Sequence, residues 1–178
     1  DLGQNFGIDD RGGGMNVSIV DINNDGWMDS YITVIDMFSK SIGFELPTDK
    51  KTFHLDDYIL KTSFALSGNK LFLNKNGTQA LSVEHQWFEP GSKGWGWGAA
   101  FFDYENDGDE DVYITNGYVS DSLSGDQANQ FYIQSNQKFF KSADKKPESF
   151  IGNSRSVAAI DFTNTGKLDL LINNFDTP

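Results

Sequence analysis

The sequence predicts an all-β fold of repeated four-stranded antiparallel units, and three observations carry that prediction. Composition is the first: 15 Phe, 6 Tyr and 4 Trp stand beside 18 Gly and only 4 Pro in 178 residues. Aromatic side chains suit a pleated, half-buried surface, and glycine supplies the positive φ of tight turns. The second is a strand–turn–strand unit that recurs without gaps as GGGMNVSIVDINNDGWMDSYIT (12 to 33), GWGWGAAFFDYENDGDEDVYIT (94 to 115) and GNSRSVAAIDFTNTGKLDLLIN (152 to 173). The third is a weaker repeat between these copies, NKLFLN (69 to 74) against NQFYIQ (129 to 134), each followed by a turn and a further strand-like run. Asn76-Gly77 is a hairpin signal in the first of these, and the second has a less clear one.

Together the two repeats make a four-stranded meander, a-b-c-d, and meanders repeated at this period are expected to be blades of a β-propeller. Residues 1 to 11 are then the end of a preceding blade, and 12 to 90 are a blade with a long insert at 36 to 68. Residues 91 to 150 are a second blade, and 151 to 178 the first two strands of a third. A propeller needs at least four blades, so about half of one is expected here. The remaining blades are expected from the same parent chain or from a partner chain.

Charge and composition exclude several classes. With 14 basic and 26 acidic residues the net charge is −12, which repels nucleic-acid phosphates and anionic lipid and favours divalent cations. No cysteine is present, so disulfides, thiolate zinc sites and cysteine nucleophiles are absent. No apolar run reaches the roughly 20 residues of a helical membrane span, and membrane insertion is not expected. The 38% hydrophobic content, without a long polar tract, marks a globular chain.

The turns of the three gapless copies share a nine-residue frame. Loop one offers Asp21, Asn23, Asp25, Gly26 and Asp29; loop two offers Asp103, Glu105, Asp107, Gly108 and Asp111; loop three offers Asp161, Thr163, Thr165, Gly166 and Asp169. Oxygen side chains at positions 1, 3, 5 and 9 with glycine at 6 are what a hard cation needs, with a backbone carbonyl at position 7 from Trp27 or Asp109. Calcium fits better than magnesium, which demands a tighter octahedron. The only histidines, His54 and His85, lie outside the loops, which disfavours transition metals. An EF-hand would need a bidentate acid at position 12, where Ile32, Ile114 and Ile172 stand. Loop two's acids would repel strongly without a cation, since like charges ~4 Å apart cost about 4 kcal/mol at intermediate dielectric. Two calcium sites are expected; loop three, with only Asp161 and Asp169 left and Lys167 nearby, is a weak site or a plain turn.

On DINNDGWMD, DYENDGDED and GNSRSVAAIDFTNTGKLDLLINN the chain resembles the FG-GAP-like, or VCBS-type, calcium-binding propeller repeat. NKLFLNKNG followed by GWGWGAAFFDYENDGDEDVYITNG is most similar to the subgroup of bacterial proteins with an ASPIC/UnbV tail and their animal relative, cartilage acidic protein. The resemblance implies a secreted or cell-surface propeller of about seven blades. It also implies calcium held by Asp21, Asn23, Asp25 and Asp29, and by Asp103, Glu105, Asp107 and Asp111. Glu105 departs from the usual Asp or Asn.

In an up-and-down meander the a-b loops and c-d turns share one face and the b-c and d-a connections share the other. The opposite face therefore holds the 36 to 68 insert, with Phe38, Phe44, Phe53, Tyr58 and Phe64, and the segment with Trp87, Phe88, Trp95 and Trp97. Long loops are usually functional or mobile, so a protein or glycan ligand is expected there if anywhere. Trp95 and Trp97 alternate with glycines, a pattern for blade-to-blade packing or, less simply, a carbohydrate platform. No Ser/His/Asp arrangement, histidine-metal cluster or phosphate loop is identifiable. The expected function is a non-catalytic, calcium-stabilised scaffold or interaction module located in an extracellular, cell-surface or periplasmic setting. The alternatives are the propeller part of a secreted polysaccharide-active enzyme and a structural subunit that docks through the insert.

Overall fold

The computed structural model describes residues 3–8, 13–34, 68–89, 95–120, 123–125, 128–142 and 153–175. The insert expected at 36 to 68 lies outside these residues apart from Gly68. The described chain is mostly β. Strands β1 (Gly14–Val20), β2 (Asp29–Val34), β3 (Lys70–Lys75) and β4 (Gln79–Ser82) form one antiparallel sheet in sequence order. Strands β5 (Gly96–Phe102), β6 (Asp111–Asn116), β9 (Gln130–Gln134) and β10 (Phe139–Lys141) form a second. Between β6 and β9 a small hairpin, β7 (Tyr118–Ser120) with β8 (Leu123–Gly125), interrupts the meander. Strands β11 (Asn153–Ile160) and β12 (Asp169–Phe175) make a third, two-stranded sheet.

Turn chemistry fixes these pairings. Asn76 and Gly77 have φ of 55° and 70°, the two positive values of a turn of the strand-matched hand, closed by the Thr78 amide donating to the Lys75 carbonyl at 3.0 Å. The β9–β10 turn uses the same geometry without glycine, at Asn136 (φ 52°) and Gln137 (φ 60°), which explains its weak signature in the sequence. Two four-residue helical turns, α1 (Gly3–Phe6) and α2 (Glu84–Trp87), were outside the all-β expectation. The 82-residue spacing that takes Gly14 to Gly96 takes Phe6 to Phe88, so the turns occupy nearly equivalent places. Each meets the outer strand of the sheet that follows it: α1 packs on β4, and Phe88 bridges Phe139 of β10. Residues 3–8, part of the stretch expected as the end of a preceding blade, form such a helical turn.

The second sheet is buried on both faces. Toward the first sheet it presents Ala99, Val112, Ile114, Tyr132 and Phe139, packed with Tyr31, Leu71, Trp87 and Phe88. The Phe88 ring stacks on Phe139 with centroids 4.4 Å apart and meets Tyr132 edge-on at 5.3 Å, while Tyr31 meets Phe101 edge-on at 5.4 Å. Toward the third sheet it presents Phe102, Tyr113 and Phe131, packed against Val157, Ala159, Leu170 and Ile172. Alternation along each strand explains the division, because successive side chains point to opposite faces.

The two junctions between sheets are built alike. Each first strand carries a register shift at the same repeat position, between Gly14 and Asn16, between Gly96 and Gly98, and between Ser154 and Ser156. The inserted residues are Met15, Trp97 and Arg155. A bulge leaves its extra residue out of the ladder. The released carbonyl is then claimed by the previous sheet: Thr33 Oγ1 donates to the Trp97 carbonyl at 3.2 Å, and Thr115 Oγ1 donates to the Arg155 carbonyl at 3.0 Å. Thr33 and Thr115 are themselves 82 residues apart. Close approach at the second junction requires Gly98, where a Cβ would lie 3.0 Å from the Arg155 carbonyl oxygen and 3.2 Å from Ser156 Cα.

Gly98→Ala is therefore expected to lower stability by about 1–3 kcal/mol through overpacking. Urea unfolding checks this, and an unchanged midpoint would show that the junction is looser than described.

Candidate metal centre

All three loops have one backbone conformation. Position 4 is left-handed Asn in each, with φ of 56° at Asn24, 56° at Asn106 and 55° at Asn164, and position 6 is glycine at 87°, 91° and 80°. Asparagine and glycine are the residues that tolerate this region. The recurrent Asn at position 4 was missed in the sequence frame, although it stands in all three copies. The position-1 aspartate closes the turn. Asp21 Oδ1 and Oδ2 accept from the Asp25 and Gly26 amides at 3.0 and 2.8 Å, Asp103 from the Asp107 and Gly108 amides at 3.0 Å each, and Asp161 from the Thr165 and Gly166 amides at 2.9 and 2.6 Å. These amide bonds hold the Asp161 carboxyl below the usual carboxylate range.

The other oxygens converge unequally. Asn23 Oδ1 accepts from the same Asp25 amide as Asp21, at 3.1 Å, and Asn23 Nδ2 donates to Asp25 Oδ2 at 3.0 Å. Positions 1, 3 and 5 of loop one therefore meet over one turn of backbone. Position 5 also fixes position 7, since Asp25 Oδ1 accepts from the Trp27 amide at 2.9 Å and Asp107 Oδ1 from the Asp109 amide at 3.0 Å. In loop three the equivalent side chains are hydroxyls 3.2 Å apart, Thr163 and Thr165, which satisfy each other without a cation.

Position 9 behaves differently from the rest of the expected ligand set. Asp29 and Asp111 are both 1% exposed, and both of their oxygens are taken by backbone amides. Asp29 Oδ2 accepts from Ile22 at 3.1 Å and Oδ1 from Asn74 on β3 at 2.7 Å. Asp111 accepts in the same way from Tyr104 and from Gln134 on β9, each at 2.8 Å. Each carboxylate thus pins the loop and the third strand to the second. Burial pushes both carboxyls up despite these bonds, and the neighbouring acids add to it: Asp25 and Asp21 at Asp29, Glu105 and Asp107 at Asp111. Burial, with Asp103 and Asp111 beside it, likewise raises Glu110. The equivalent Asp169 is exposed.

Among the described residues, no three Asp, Glu, His or Cys side chains close into one ion-sized group. The side-chain oxygens of loops one and two at positions 1, 3 and 5, carboxylates except for the amide of Asn23, are nevertheless partly or fully solvent-facing, which is the chemistry that suits a hard divalent cation. The loops lie side by side, with Asn24 Nδ2 donating to the Gly108 carbonyl at 2.8 Å. The c-d turn of the first sheet sits beside loop one, since a Cβ on Gly77 would lie 2.9 Å from the Trp27 ring.

The aromatic segment expected on the opposite face is largely core. Trp87, Phe88 and Trp95 are buried. Trp97 sits at the bulge, so it does not share a side with Trp95 by simple alternation; its Nε1 donates to the Gly117 carbonyl at 2.6 Å, and the Arg155 guanidinium covers its ring at 4.1 Å. Sequence reading also missed a buried polar chain: Asn129 Oδ1 accepts from the Asn116 amide and its Nδ2 donates to Ser154 Oγ, which donates to Asn174 Oδ1, all at 2.9 Å. Asn69 repeats the first bond, accepting from the Val34 amide at 2.9 Å. A scan against models of known protein families finds no match to this chain, and no curated protein matches it in sequence.

Asp111→Ala is expected to destabilise by about 1–3 kcal/mol for each buried amide left unpaired, in chelator as well as in calcium. Asp169→Ala is expected to stay within about 0.5 kcal/mol. Thermal unfolding separates the two. A raised folded-state pKa means that the stability attached to Asp29 and Asp111 is present below the ordinary carboxylate pKa and is lost as pH rises through the raised value. In chelator, stability is therefore expected to fall as pH climbs from the ordinary carboxylate range toward neutrality, with a shallower fall in Asp111→Asn.

Proposed function

We propose that this chain is part of a β-propeller, stabilised by calcium at loops one and two, that serves as a non-catalytic scaffold or interaction module outside the cytoplasm. The observation that carries the reading is the recurrence of one junction. The Thr33 and Thr115 bonds to bulge carbonyls, with apolar side chains packed beside each, relate sheet one to sheet two as sheet two is related to sheet three. A repeated rotation of four-stranded units is how a propeller is assembled. Its remaining blades belong to the same parent chain or to a partner.

Calcium would be held by Asp21, Asn23 and Asp25 in loop one and by Asp103, Glu105 and Asp107 in loop two, with carbonyls of Trp27 and Asp109 and with Asp29 and Asp111 behind them. Its contribution is positive charge that offsets the clustered acids. The chain's own residues already set the loop backbone, because Asp161 alone holds loop three in the same turn. Calcium thus reinforces the blade and performs no chemistry. Millimolar calcium outside the cytoplasm fills even modest sites. A protein or glycan ligand would contact the face opposite the loops.

Calcium at about 100 times its Kd should add roughly 2.7 kcal/mol per site. Asp25→Ala and Asp107→Ala are each expected to remove one such increment, read as the difference in melting temperature between calcium and chelator. Equal melting temperatures of the unaltered chain in the two buffers would overturn the calcium reading.

A further inference from the structure

Loops one and two are tied together at two places, one facing solvent and one in the core. On the solvent side, Asn24 Nδ2 of loop one donates to the Gly108 carbonyl of loop two at 2.8 Å, across 84 residues of chain. That carbonyl shares a planar peptide group with the Asp109 amide, which donates to Asp107 Oδ1 at 3.0 Å. Gly108 has φ of 91° and open space where a Cβ would stand, so no side chain of its own restrains this peptide. Asn24 and Asp107 hold it from its two ends. In the core, Gln134 Nε2 on β9 donates to the Ile22 carbonyl at 3.2 Å, across 112 residues. The same two residues give their backbone amides to the anchoring carboxylates, Ile22 to Asp29 and Gln134 to Asp111. A run of buried hydrogen bonds thus leads from Asp29 through Ile22 and Gln134 to Asp111. Between loops two and three the pair equivalent to Asn24 and Gly108 is Asn106 and Gly166, and among the described residues these two make no hydrogen bond to each other.

We propose that loops one and two open and order as one unit, with Asn24 and Gln134 as the positioning residues that couple them. Loop three lies outside the unit. The coupling itself is a property of the metal-free chain, whereas its consequence for cation binding rests on the calcium reading. An ion that orders one loop also orders the other, so the second ion meets a smaller ordering cost and binds more tightly. By linkage the effect is the same in either direction.

Amide hydrogen exchange followed by NMR in chelator tests the coupling. Asn24→Gly removes the side-chain amide and keeps a residue that accepts φ of 56°. Exchange at the Asp107, Gly108 and Asp109 amides of loop two should quicken by about two- to tenfold, the effect of losing one ordinary hydrogen bond. Gln134→Leu keeps the backbone amide to Asp111 and should quicken the Asp25 and Gly26 amides of loop one to a similar degree. The Thr165 and Gly166 amides of loop three should stay unchanged in both, which separates coupling from a general loss of stability. Asn24 is exposed, so its variant decides alone if Gln134→Leu does not fold. Calorimetric titration with calcium chloride should show the second ion bound at least about fivefold more tightly than the first in the unaltered chain, and no such gain in Asn24→Gly. Unchanged loop-two exchange in Asn24→Gly, an equal rise in loop three, or two independent sites in the unaltered chain would overturn the inference. Absence of any calcium binding would instead overturn the calcium reading, and the exchange rates would still decide the coupling.

Discussion

Two buried carboxylates, Asp29 and Asp111, hold each four-stranded sheet together at its loop end. Each accepts one amide from its own turn and one from the third strand, so a single side chain fixes three segments. A hydrogen bond to a charged group contributes about 1.5–3 kcal/mol, and the reach from Asp29 to Asn74 or from Asp111 to Gln134 crosses a long stretch of chain. The cost is a carboxyl kept out of water near other acids, which is why burial raises both groups. The docking of the third strand and the crowding of the remaining acids follow from that placement.

The same arrangement divides labour within the acidic loops. Position 1 shapes the turn, position 9 anchors the sheet, and the charge left over gathers at positions 3 and 5. Loop three isolates the first of these roles. It has the same φ values at Asn164 and Gly166 as the acidic loops have, with hydroxyls in place of the middle acids and an exposed Asp169. Turn formation is therefore separable from charge accumulation, and the acids Asp25, Glu105 and Asp107 are not needed to make the bend.

Most of the strand order was legible because it is written more than once. The gapless copies contain β1, β2, β5, β6, β11 and β12, and the weaker copies contain β3 and β9. Asn76-Gly77 announced its turn, whereas Asn136-Gln137 did not, since only the backbone reveals that Gln137 takes a positive φ. The helical turns at Gly3–Phe6 and Glu84–Trp87 are too short to leave a periodicity. Nine-residue spacing made Asp29 and Asp111 look like equals of Asp21 and Asp103. Their distinct anchoring role depends on amides contributed by a strand far along the chain, which no local pattern encodes. Trp87, Phe88 and Trp95 are buried where the sheets stack, whereas Trp97 at the bulge stays partly exposed.

The bulge that recurs at Met15, Trp97 and Arg155 has a consequence for how such a stack can diversify. What the neighbouring sheet grips at this position is main chain, and the three side chains have nothing in common: a thioether, an indole and a guanidinium. Joining one unit to the next thus places little demand on residue identity at the seam. The side chain there is released for other uses, as the Trp97–Arg155 stack illustrates, while the seam itself can persist through extensive sequence drift.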